Sequence, residues 1–419
     1  MIDENRLKIL TESAKYDVSC SSSGSRRTNT KDGIGNASFG GICHSFTPDG
    51  RCISLLKILM SNKCCFNCLY CPSRAEADVP RASATPDEIC ELVISFYKRN
   101  YIEGLFLSSA VDGSPDATME RMLDTVVRLR TVYKFNGYIH LKGIPRADPI
   151  LTRRAALYAD RMSYNVELPS EQSLKLLAPQ KSKESVLLPM KQLAAETRAN
   201  KVEKSLHKQK FLPAGQTTQM IVGASPEADG QILRLSEALY RRLSLKRVYY
   251  SSYIPVVKHS LLPDRCTGLL REHRLYQADW LMRFYGFTAE EIAAEGENLP
   301  EEYDPKCAWA LKNMQYFPVE INSAPLEALL RVPGIGTLGA YKIIKARKYT
   351  PLGFEDLAKM RIVLKRAKHF ITCKGKFFGC DRERDVRTLL ALADGAQKYE
   401  QLSMFSQPEI SLSALTGQL

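Results

Sequence analysis

The fold and the chemistry of this chain are decided by one stretch, SLLKILMSNKCCFNCLYC (54–71). Its apolar first half has the composition of a buried strand, and its second half contains Cys64, Cys68 and Cys71 in the spacing C-x3-C-x2-C. Three thiolates within eight residues can bind one face of a cubane iron–sulfur cluster. No fourth cysteine stands at a comparable spacing, so one iron would stay open to a further ligand. Zinc is the alternative, although a closed structural zinc site needs four ligands. Cys65 is expected to point away from the ligands.

Strand-like and helical patterns alternate along the chain from this stretch onward. The strand-like runs are 54–62, 104–110, 137–144, 160–168, 217–224 and 246–255, and the helical patterns are 84–100, 115–134, 148–159, 170–208 and 226–243. Such alternation is typical of parallel strands joined by crossover helices. It predicts an α/β fold, a partial (β/α)6 TIM-like barrel.

The composition excludes several classes of protein. Apolar residues make up 44% and charged residues 25% of the 419 positions, which is ordinary for a globular chain rather than a disordered or collagenous one. We expect no membrane span and no signal peptide, and therefore a cytoplasmic protein whose twelve cysteines are thiols or metal ligands. The excess of 59 basic over 46 acidic residues, +13, suggests a polyanionic partner.

The sign of the local charge changes near residues 307–320. Residues 270–306 carry nine acidic and four basic side chains (−5), whereas residues 331–376 carry twelve basic and two acidic ones (+10). We therefore predict these domains: a loop-rich N-terminal extension (1–50), the partial barrel (51–260), an acidic helical linker (261–316), a basic all-α domain (317–395) and a polar tail (396–419). A basic insert at about 175–210 is expected to be a solvated helix or an extension of a nucleic-acid groove.

The basic domain contains a recognisable turn between two helical patterns. The first pattern is expected to be capped by Asn322 or Ser323, and the second contains Ala340, Ile343 and Ile344. Between them, glycines permit a tight turn whose amides can bind an anion at a helix N-terminus. The segment resembles the helix-hairpin-helix DNA-binding motif. The predicted DNA-binding residues are Pro333, Gly334, Ile335, Gly336, Lys342, Lys345, Arg347 and Lys348. A packing or protein-contact role is the alternative. A second, degenerate unit is expected at 354–372, with Arg361, Lys365, Arg366 and Lys368.

The cysteine stretch and the βα units that follow it resemble the radical SAM superfamily. The resemblance implies a 4Fe–4S cluster held by Cys64, Cys68 and Cys71, with S-adenosylmethionine (SAM) chelating the open iron and being cleaved to a 5′-deoxyadenosyl radical. It also implies SAM contacts at the strand ends, for which the candidates are Ser108, Ser109, Lys142, Asn165, Glu167 and Gly223. Ser108-Ser109-Ala110 stands where the superfamily usually has Gly-Gly-Glu. The catalytic residues remain unknown.

Nearly the whole chain resembles one family, the DNA modification or repair radical SAM proteins that are often encoded beside a uracil-DNA-glycosylase-like protein. The resemblance covers AKYDVSCSSSGS (14–25), DGRCISLLKILMSNKC (49–64), LLREHRLYQADWLMRFYGF (269–287) and the hairpin block 317–348. It implies DNA as a partner, with that glycosylase-like protein and an electron donor such as flavodoxin or ferredoxin as further partners.

Three other functions are compatible with the sequence. The first is a radical SAM enzyme that modifies RNA such as tRNA, and the second is a non-catalytic iron–sulfur redox sensor that binds DNA. The third is a zinc-binding nucleic-acid module. An enzyme that leaves a substrate radical also needs a hydrogen-atom donor, for which the free thiols Cys373, Cys380, Cys266 and Cys307 are candidates.

Overall fold

The structure is a computed structural model that describes residues 2–14, 21–22, 42–46, 52–202, 211–380 and 383–394. By their contacts these residues form two compact units. The first contains the described residues up to 226 and residues 238–267, and the second contains residues 227–237 and the described residues from 268 onward. Several predicted regions lie outside the described residues. They are most of the N-terminal extension (1–50), the predicted tail 396–419, and Lys204, Lys208 and Lys210 of the basic insert.

The first unit is built on an eight-stranded sheet whose spatial order follows the chain. The strands are β1(Ser21–Ser22), β2(Ile42–Phe46), β3(Cys52–Leu59), β4(Gly104–Ser108), β5(Tyr138–Lys142), β6(Arg161–Ser163), β7(Gly215–Val222) and β8(Arg247–Ser252). The first three pair antiparallel, and β3 to β8 pair parallel throughout. The predicted six parallel strands of a partial barrel are thus confirmed. Their carboxyl ends meet at one edge, where ligands of parallel sheets bind.

Helices connect the parallel strands as the sequence predicts. The helix α1(Glu4–Ala14) precedes all the strands, and the connecting helices are α2(Pro86–Lys98), α3(Pro115–Thr131), α4(Pro149–Tyr158), α5(Glu171–Leu177), α6(Lys183–Val202) and α7(Asp229–Leu243), the last divided between the two units. Thr85 caps α2 in a capping box with Glu88, and Ser114 caps α3. The N-terminal extension is less loop-rich than expected, because α1 and β2 fall within it.

The second unit is mostly helical. Its elements are α8(Leu269–Phe284), α9(Ala289–Ile292), α10(Pro305–Lys312), a 3-10 turn (Met314–Tyr316), β9(Val319–Glu320), α11(Leu326–Arg331), α12(Thr337–Ala346), α13(Phe354–Lys359), α14(Leu364–Ala367), β10(Ile371–Cys373), β11(Lys376–Phe377) and α15(Glu383–Asp394). The segment expected as an acidic linker therefore contributes α8, α9 and α10. None of the helices described is both long and apolar enough to cross a membrane.

The prediction that the basic domain is all-α is wrong. Strand β10 pairs with β9 in parallel and with β11 antiparallel, which makes a three-stranded sheet. The Glu320 carboxylate reinforces it by accepting hydrogen bonds from the amides of Asn322, Lys374 and Gly375. Strands of two or three residues are too short to produce an alternating pattern, so the sequence carried no signal for them.

The start of α11 also differs from the prediction. Its N-cap is Pro325, and no side chain caps it. Asn322 instead exchanges two hydrogen bonds with the backbone of Leu352, at 3.1 and 2.7 Å. Asn322 therefore connects the segment before α11 to the segment between α12 and α13.

Candidate functional site

A cavity of about 210 Å³ opens at the carboxyl edge of the parallel strands in the first unit. Every parallel strand, or the loop after it, contributes to its wall. The predicted site residues in the wall are Cys64, Cys68, Cys71, Ser109, Lys142, Asn165 and Glu167. The structure therefore brings the predicted cluster ligands and four of the six predicted SAM contacts to one place.

The cysteine loop is held by hydrogen bonds along its length. The amide of Cys65 donates to the carbonyl of Val111 (2.8 Å), and the amide of Leu69 donates to the carbonyl of Leu177 (2.8 Å). These bonds fasten the loop to the segment after β4 and to the end of α5. The loop therefore has a fixed path across the strand ends, which preorganises its thiols.

Arg81 donates hydrogen bonds to the backbone on both sides of the same loop. Its Nη1 donates to the carbonyls of Asn62 (2.7 Å) and Ser73 (2.9 Å), and its Nη2 donates to those of Arg74 (2.6 Å) and Ala77 (2.8 Å). One planar guanidinium thus gathers four carbonyls from both ends of the loop, which only an arginine fork can do. No local pattern in the sequence predicts this role.

The four cysteines of the loop differ in their surroundings. Cys68 is buried, Cys64 and Cys71 are half-buried at the cavity, and Cys65 is exposed and is not part of the cavity wall. The side chain of Cys65 therefore faces away, as expected. Burial and the nearby Cys68 raise the pKa of Cys71 to about 12, and burial also raises the pKa of Cys68. Thiols that resist ionisation together become thiolates when a cationic group binds them, and binding then releases their protons.

The three cysteines of the loop share one wall of the cavity. Among the residues that the structure describes, no three His, Cys, Asp or Glu side chains are arranged to hold one metal ion. A cubane cluster binds each thiolate at a different iron. Three cysteines along one cavity wall are therefore suited to a cluster.

A buried ion pair stands beside these thiols. Lys181 Nζ lies 2.7 Å from Glu167 Oε1, and the two side chains are only 13% and 10% exposed. Burial lowers the pKa of Lys181, but Glu167 and Cys68 outweigh it and raise that pKa above its usual value. The lysine is thus held as a cation, and its charge offsets part of the rise that burial causes in the pKa of Cys68 and Cys71. Lys181 falls within the predicted basic insert, and nothing in its local sequence marks it as part of this site.

The remaining predicted contacts differ in their availability. Asn165 donates to Gln219 Oε1 at 3.4 Å across the cavity wall. Ser109 Oγ donates to the carbonyl of Ala110 (2.7 Å), so its hydroxyl hydrogen is engaged. Lys142 is half-buried at the end of β5. Glu167, with φ +65°, is committed to Lys181.

Two of the predicted SAM contacts do not line the cavity. Ser108 is buried, and its carbonyl accepts a hydrogen bond from the amide of Met60. Gly223 has φ +84°, but the space where its Cβ would stand is filled by Thr267, so it offers no room for an adenine ring. Gly143 does line the cavity, but its Cβ position is likewise filled, because a Cβ there would meet the ring of Tyr164 at 2.1 Å.

The predicted turn of the second unit lies between α11 and α12. Gly334 has φ +86°, and a Cβ there would meet the carbonyl oxygen of Val363 at 2.6 Å, so glycine is required. Gly336 is the N-cap of α12 with φ −87°, and a Cβ there would have only the Tyr285 hydroxyl, at 3.4 Å, as a neighbour. Of the two glycines, only Gly334 therefore requires a positive φ.

The turn is anchored from inside. Pro333 and Ile335 are buried, and Lys306 Nζ donates to the carbonyl of Ile335 at 2.6 Å. Lys306 is also buried and lies 4.7 Å from the centre of the Tyr285 ring. Lys342 and Lys345 of α12 take no part in these contacts and are exposed.

The predicted degenerate hairpin at 354–372 consists of α13, a turn and α14. Its turn meets the first one directly, because the Val363 amide donates to the carbonyl of Gly334 (3.2 Å). Arg361 has φ +63° and Ile362 is buried, which repeats the order of Gly334 and Ile335 in the first turn. We call α11–α14 the paired hairpins.

The basic residues of the paired hairpins divide into two groups. Lys342, Lys345 and Lys348 are exposed. Arg347 instead donates to the carbonyls of Ile321 (2.8 Å) and Ala324 (2.7 Å), and Arg366 pairs with Asp304 at 2.7 Å. Both arginines hold the unit together, so the expectation that Arg347 neutralises a phosphate is not supported.

Comparison with known proteins found distant similarities in structure only. The chain matches HydG, a maturase of the FeFe-hydrogenase, at 14% identity over 54% of this chain and 48% of HydG, with a TM-score of 0.39. It matches Streptococcus suis SuiB, solved with the precursor peptide SuiA, at 11% identity over 62% of this chain and 50% of SuiB, with a TM-score of 0.39. It matches methylornithine synthase PylB at 15% identity over 65% and 67%, again with a TM-score of 0.39.

The matched part of the chain spans about half the length of HydG and of SuiB. No protein-family model matches the chain, and no curated protein matches it. At these TM-scores the similarities carry no conclusion about function, which depends on the residues of this chain.

Proposed function

We propose that this protein is a radical SAM enzyme that acts on a nucleotide of DNA. One observation carries the proposal: Cys64, Cys68 and Cys71 line one cavity at the carboxyl edge of six parallel strands. Three thiols at such an edge, with a fourth neighbouring thiol turned away, match the donor set of a cluster with one open iron. The localisation that suits free thiols is a reducing cytoplasm.

The cluster would be held by those three cysteines, with Lys181 beside them as a fixed cation. When bound, the cluster and SAM supply a 5′-deoxyadenosyl radical that abstracts hydrogen, chemistry that no side chain provides alone. The chain keeps the loop geometry fixed through Arg81 and keeps Lys181 charged through Glu167. An electron donor such as flavodoxin or ferredoxin is the partner this chemistry requires.

Lys142 is the best candidate in the cavity to bind a carboxylate of SAM. It lies half-buried at the end of β5, and cations at such a place attract anions strongly because solvent screens them less. Asn165 can offer its amide to a hydroxyl group of the ligand, since its bond to Gln219 is long at 3.4 Å. Gly143, which packs against the Tyr164 ring, lines the cavity next to Lys142.

The paired hairpins are proposed to hold DNA by its phosphates. The turn at Gly334 precedes the N-terminus of α12, and exposed lysines follow on that helix. Contacts of this kind fix the position of a duplex and do not read its sequence. A nucleotide that reacts in the cavity must leave the base stack or be single-stranded. A uracil-DNA-glycosylase-like protein is a further proposed partner.

Anaerobic reconstitution with iron and sulfide tests the cluster. Replacing Cys64, Cys68 or Cys71 by Ala should abolish the absorption of the cluster and the cleavage of SAM to methionine and 5′-deoxyadenosine. Cys65→Ala is the matched control and should keep most of its iron. Loss of the cluster in Cys65→Ala together with its retention in Cys64→Ala would refute the assignment. A wild-type cluster without any SAM cleavage would favour the redox sensor.

The substrate is tested separately with DNA. Mass spectrometry of DNA nucleosides from a deletion strain and its parent should reveal a modified or damaged nucleoside that changes in abundance. A change confined to RNA nucleosides would transfer the proposed activity to RNA.

A further inference from the structure

The outward face of α12 carries large apolar side chains that its own unit does not cover. Leu338 is 77% exposed, Tyr341 60% and Tyr349, just after the helix, 84%. Ala340 and Ile343, on the opposite side, are fully buried. Leu338 and Tyr341 are three residues apart on α12 and therefore lie on one face of the helix.

Cations are interleaved with these side chains. Lys342, Lys345 and Lys348 are exposed, and no ion pair holds them among the residues the structure describes. The sequence has no acidic residue between Glu327 and Glu355. Lys345 lies one helical turn from Tyr341, about 5–6 Å along the axis, and Tyr349 follows in the turn after the helix. We call Leu338, Tyr341, Lys342, Lys345, Lys348 and Tyr349 the α12 stripe.

We infer that the α12 stripe binds unpaired nucleotides of a DNA strand. The inference rests on the proposed function and names its substrate class: DNA in which bases are already unpaired next to a duplex. Aromatic rings interleaved with cations are how proteins hold single strands, because each ring stacks on a base while each cation neutralises a phosphate. A protein partner would need no such positive charge, and the stripe has no acidic residue to balance it.

A perfect duplex would leave the aromatic part of the stripe unused. Its bases are stacked inside, so only phosphates reach Lys342 and Lys345, and the tyrosine rings gain nothing. Leu338 stands two residues after Gly336, immediately behind the turn that is proposed to contact the backbone. Apolar side chains at such positions enter base steps as wedges and stabilise unstacked bases. The stripe is therefore suited to the junction between paired and unpaired DNA.

Fluorescence anisotropy with two labelled oligonucleotides tests this inference on the full chain. One is a perfect duplex, and the other is the same duplex with a short gap that exposes several unpaired nucleotides. The wild type should bind the gapped DNA about ten-fold more tightly, roughly the contribution of one or two stacked bases. Tyr341→Ala/Tyr349→Ala should lose this preference and keep the affinity for the perfect duplex.

Two controls separate stacking from other effects. Tyr341→Phe/Tyr349→Phe keeps both rings and should retain the preference. Tyr101→Ala removes a tyrosine of similar exposure, 54%, from the first unit and should change nothing.

The outcomes are distinct for the two proposals. Equal affinity of the wild type for both DNAs, or an unchanged preference in the double Ala variant, would overturn the role of the stripe while duplex binding stands. Failure to bind either DNA would overturn the proposed DNA function as well. A dimer that dissociates in the double Ala variant, with unchanged DNA preference, would assign the stripe to self-association.

Discussion

The cavity of the first unit and the hairpin turn of the second each contain one largely buried lysine, and the pKa values of the two lysines are shifted in opposite directions. Lys181 faces the carboxylate of Glu167 at 2.7 Å, which outweighs burial and keeps its pKa high. Lys306 faces the carbonyl of Ile335, and burial lowers its pKa to about 7 because Asp304 compensates only in part. Asp304 is occupied elsewhere, by the amides of Lys306 and Cys307 and by Arg366.

This difference matches the chemistry proposed for each region. Beside three thiols that become thiolates, a permanent cation reduces the repulsion between them. Beneath a turn that presents its own amides to phosphates, a lysine that can lose its charge acts mainly as a hydrogen-bond donor and anchor. The same residue type is thus an electrostatic component in one unit and a structural tether in the other.

The largest effect is expected when the cavity lysine loses its charge. Lys181→Met leaves Glu167 buried without a partner, which should cost about 3–5 kcal/mol of unfolding free energy. The double variant Lys181→Met/Glu167→Gln removes both charges and should recover much of that loss. Lys175→Met breaks an exposed pair with Glu171, at 3.0 Å, and should cost at most about 1 kcal/mol.

Urea denaturation of the apoprotein and iron content after reconstitution measure these changes. If Lys181→Met matches Lys175→Met in both readouts, the buried pair has no special role.

The hairpin lysine should make the second unit sensitive to alkaline pH. A lysine whose folded pKa is lowered from 10.5 to about 7 binds fewer protons when folded than when unfolded between those values. Stability should therefore rise as pH increases through this window, by at most about 1.4 kcal/mol per pH unit, and Lys306→Met should flatten the rise.

Tryptophan fluorescence can follow this unit alone, because Trp280 and Trp309 are the only two tryptophans and both belong to it. Urea midpoints between pH 7.5 and 9.5 are the measurement. The same slope in wild type and Lys306→Met would contradict the lowered pKa.

A smaller effect should distinguish the two glycines of the turn. Gly334→Val forces a β-branched residue to φ +86° against the carbonyl of Val363, which should cost about 1–3 kcal/mol of DNA-binding free energy. At Gly336 the backbone has φ −87° and a Cβ would meet only the Tyr285 hydroxyl, so Gly336→Val should have a smaller effect. Anisotropy on a plain duplex gives both values. Equal loss in the two variants would mean that backbone geometry at the turn does not set the affinity.

The smallest effects should come from single lysines of α12. Lys342→Ala, Lys345→Ala and Lys348→Ala should each lower the salt-dependence slope of duplex binding by about one where the lysine contacts a phosphate. Arg347→Ala should instead destabilise the unit, because its guanidinium holds the carbonyls of Ile321 and Ala324. A slope that no lysine variant changes would place the phosphates elsewhere.

The sequence predicted what local patterns encode. Buried parallel strands such as β4 produce continuous apolar runs, and the cysteine spacing lies within eight residues, so both could be read directly. Contacts between distant segments left no such trace. Thr267 fills the space at Gly223, Lys181 reaches the thiols from beyond α5, and Arg347 turns inward to Ile321. In each case the residue type could be read from the sequence, but tertiary packing decided which group the side chain contacts.

The central claim is that the three-cysteine cluster leaves one iron open to SAM in this cavity. Electron–nuclear double resonance of the reduced cluster, with SAM labelled by ¹⁵N and ¹⁷O in its methionine part, tests it directly. We expect hyperfine coupling of both labels in the wild type and in Cys65→Ala, and weaker SAM binding in Lys142→Ala. A reduced cluster with no coupling to either label, at SAM concentrations that saturate binding, would contradict it.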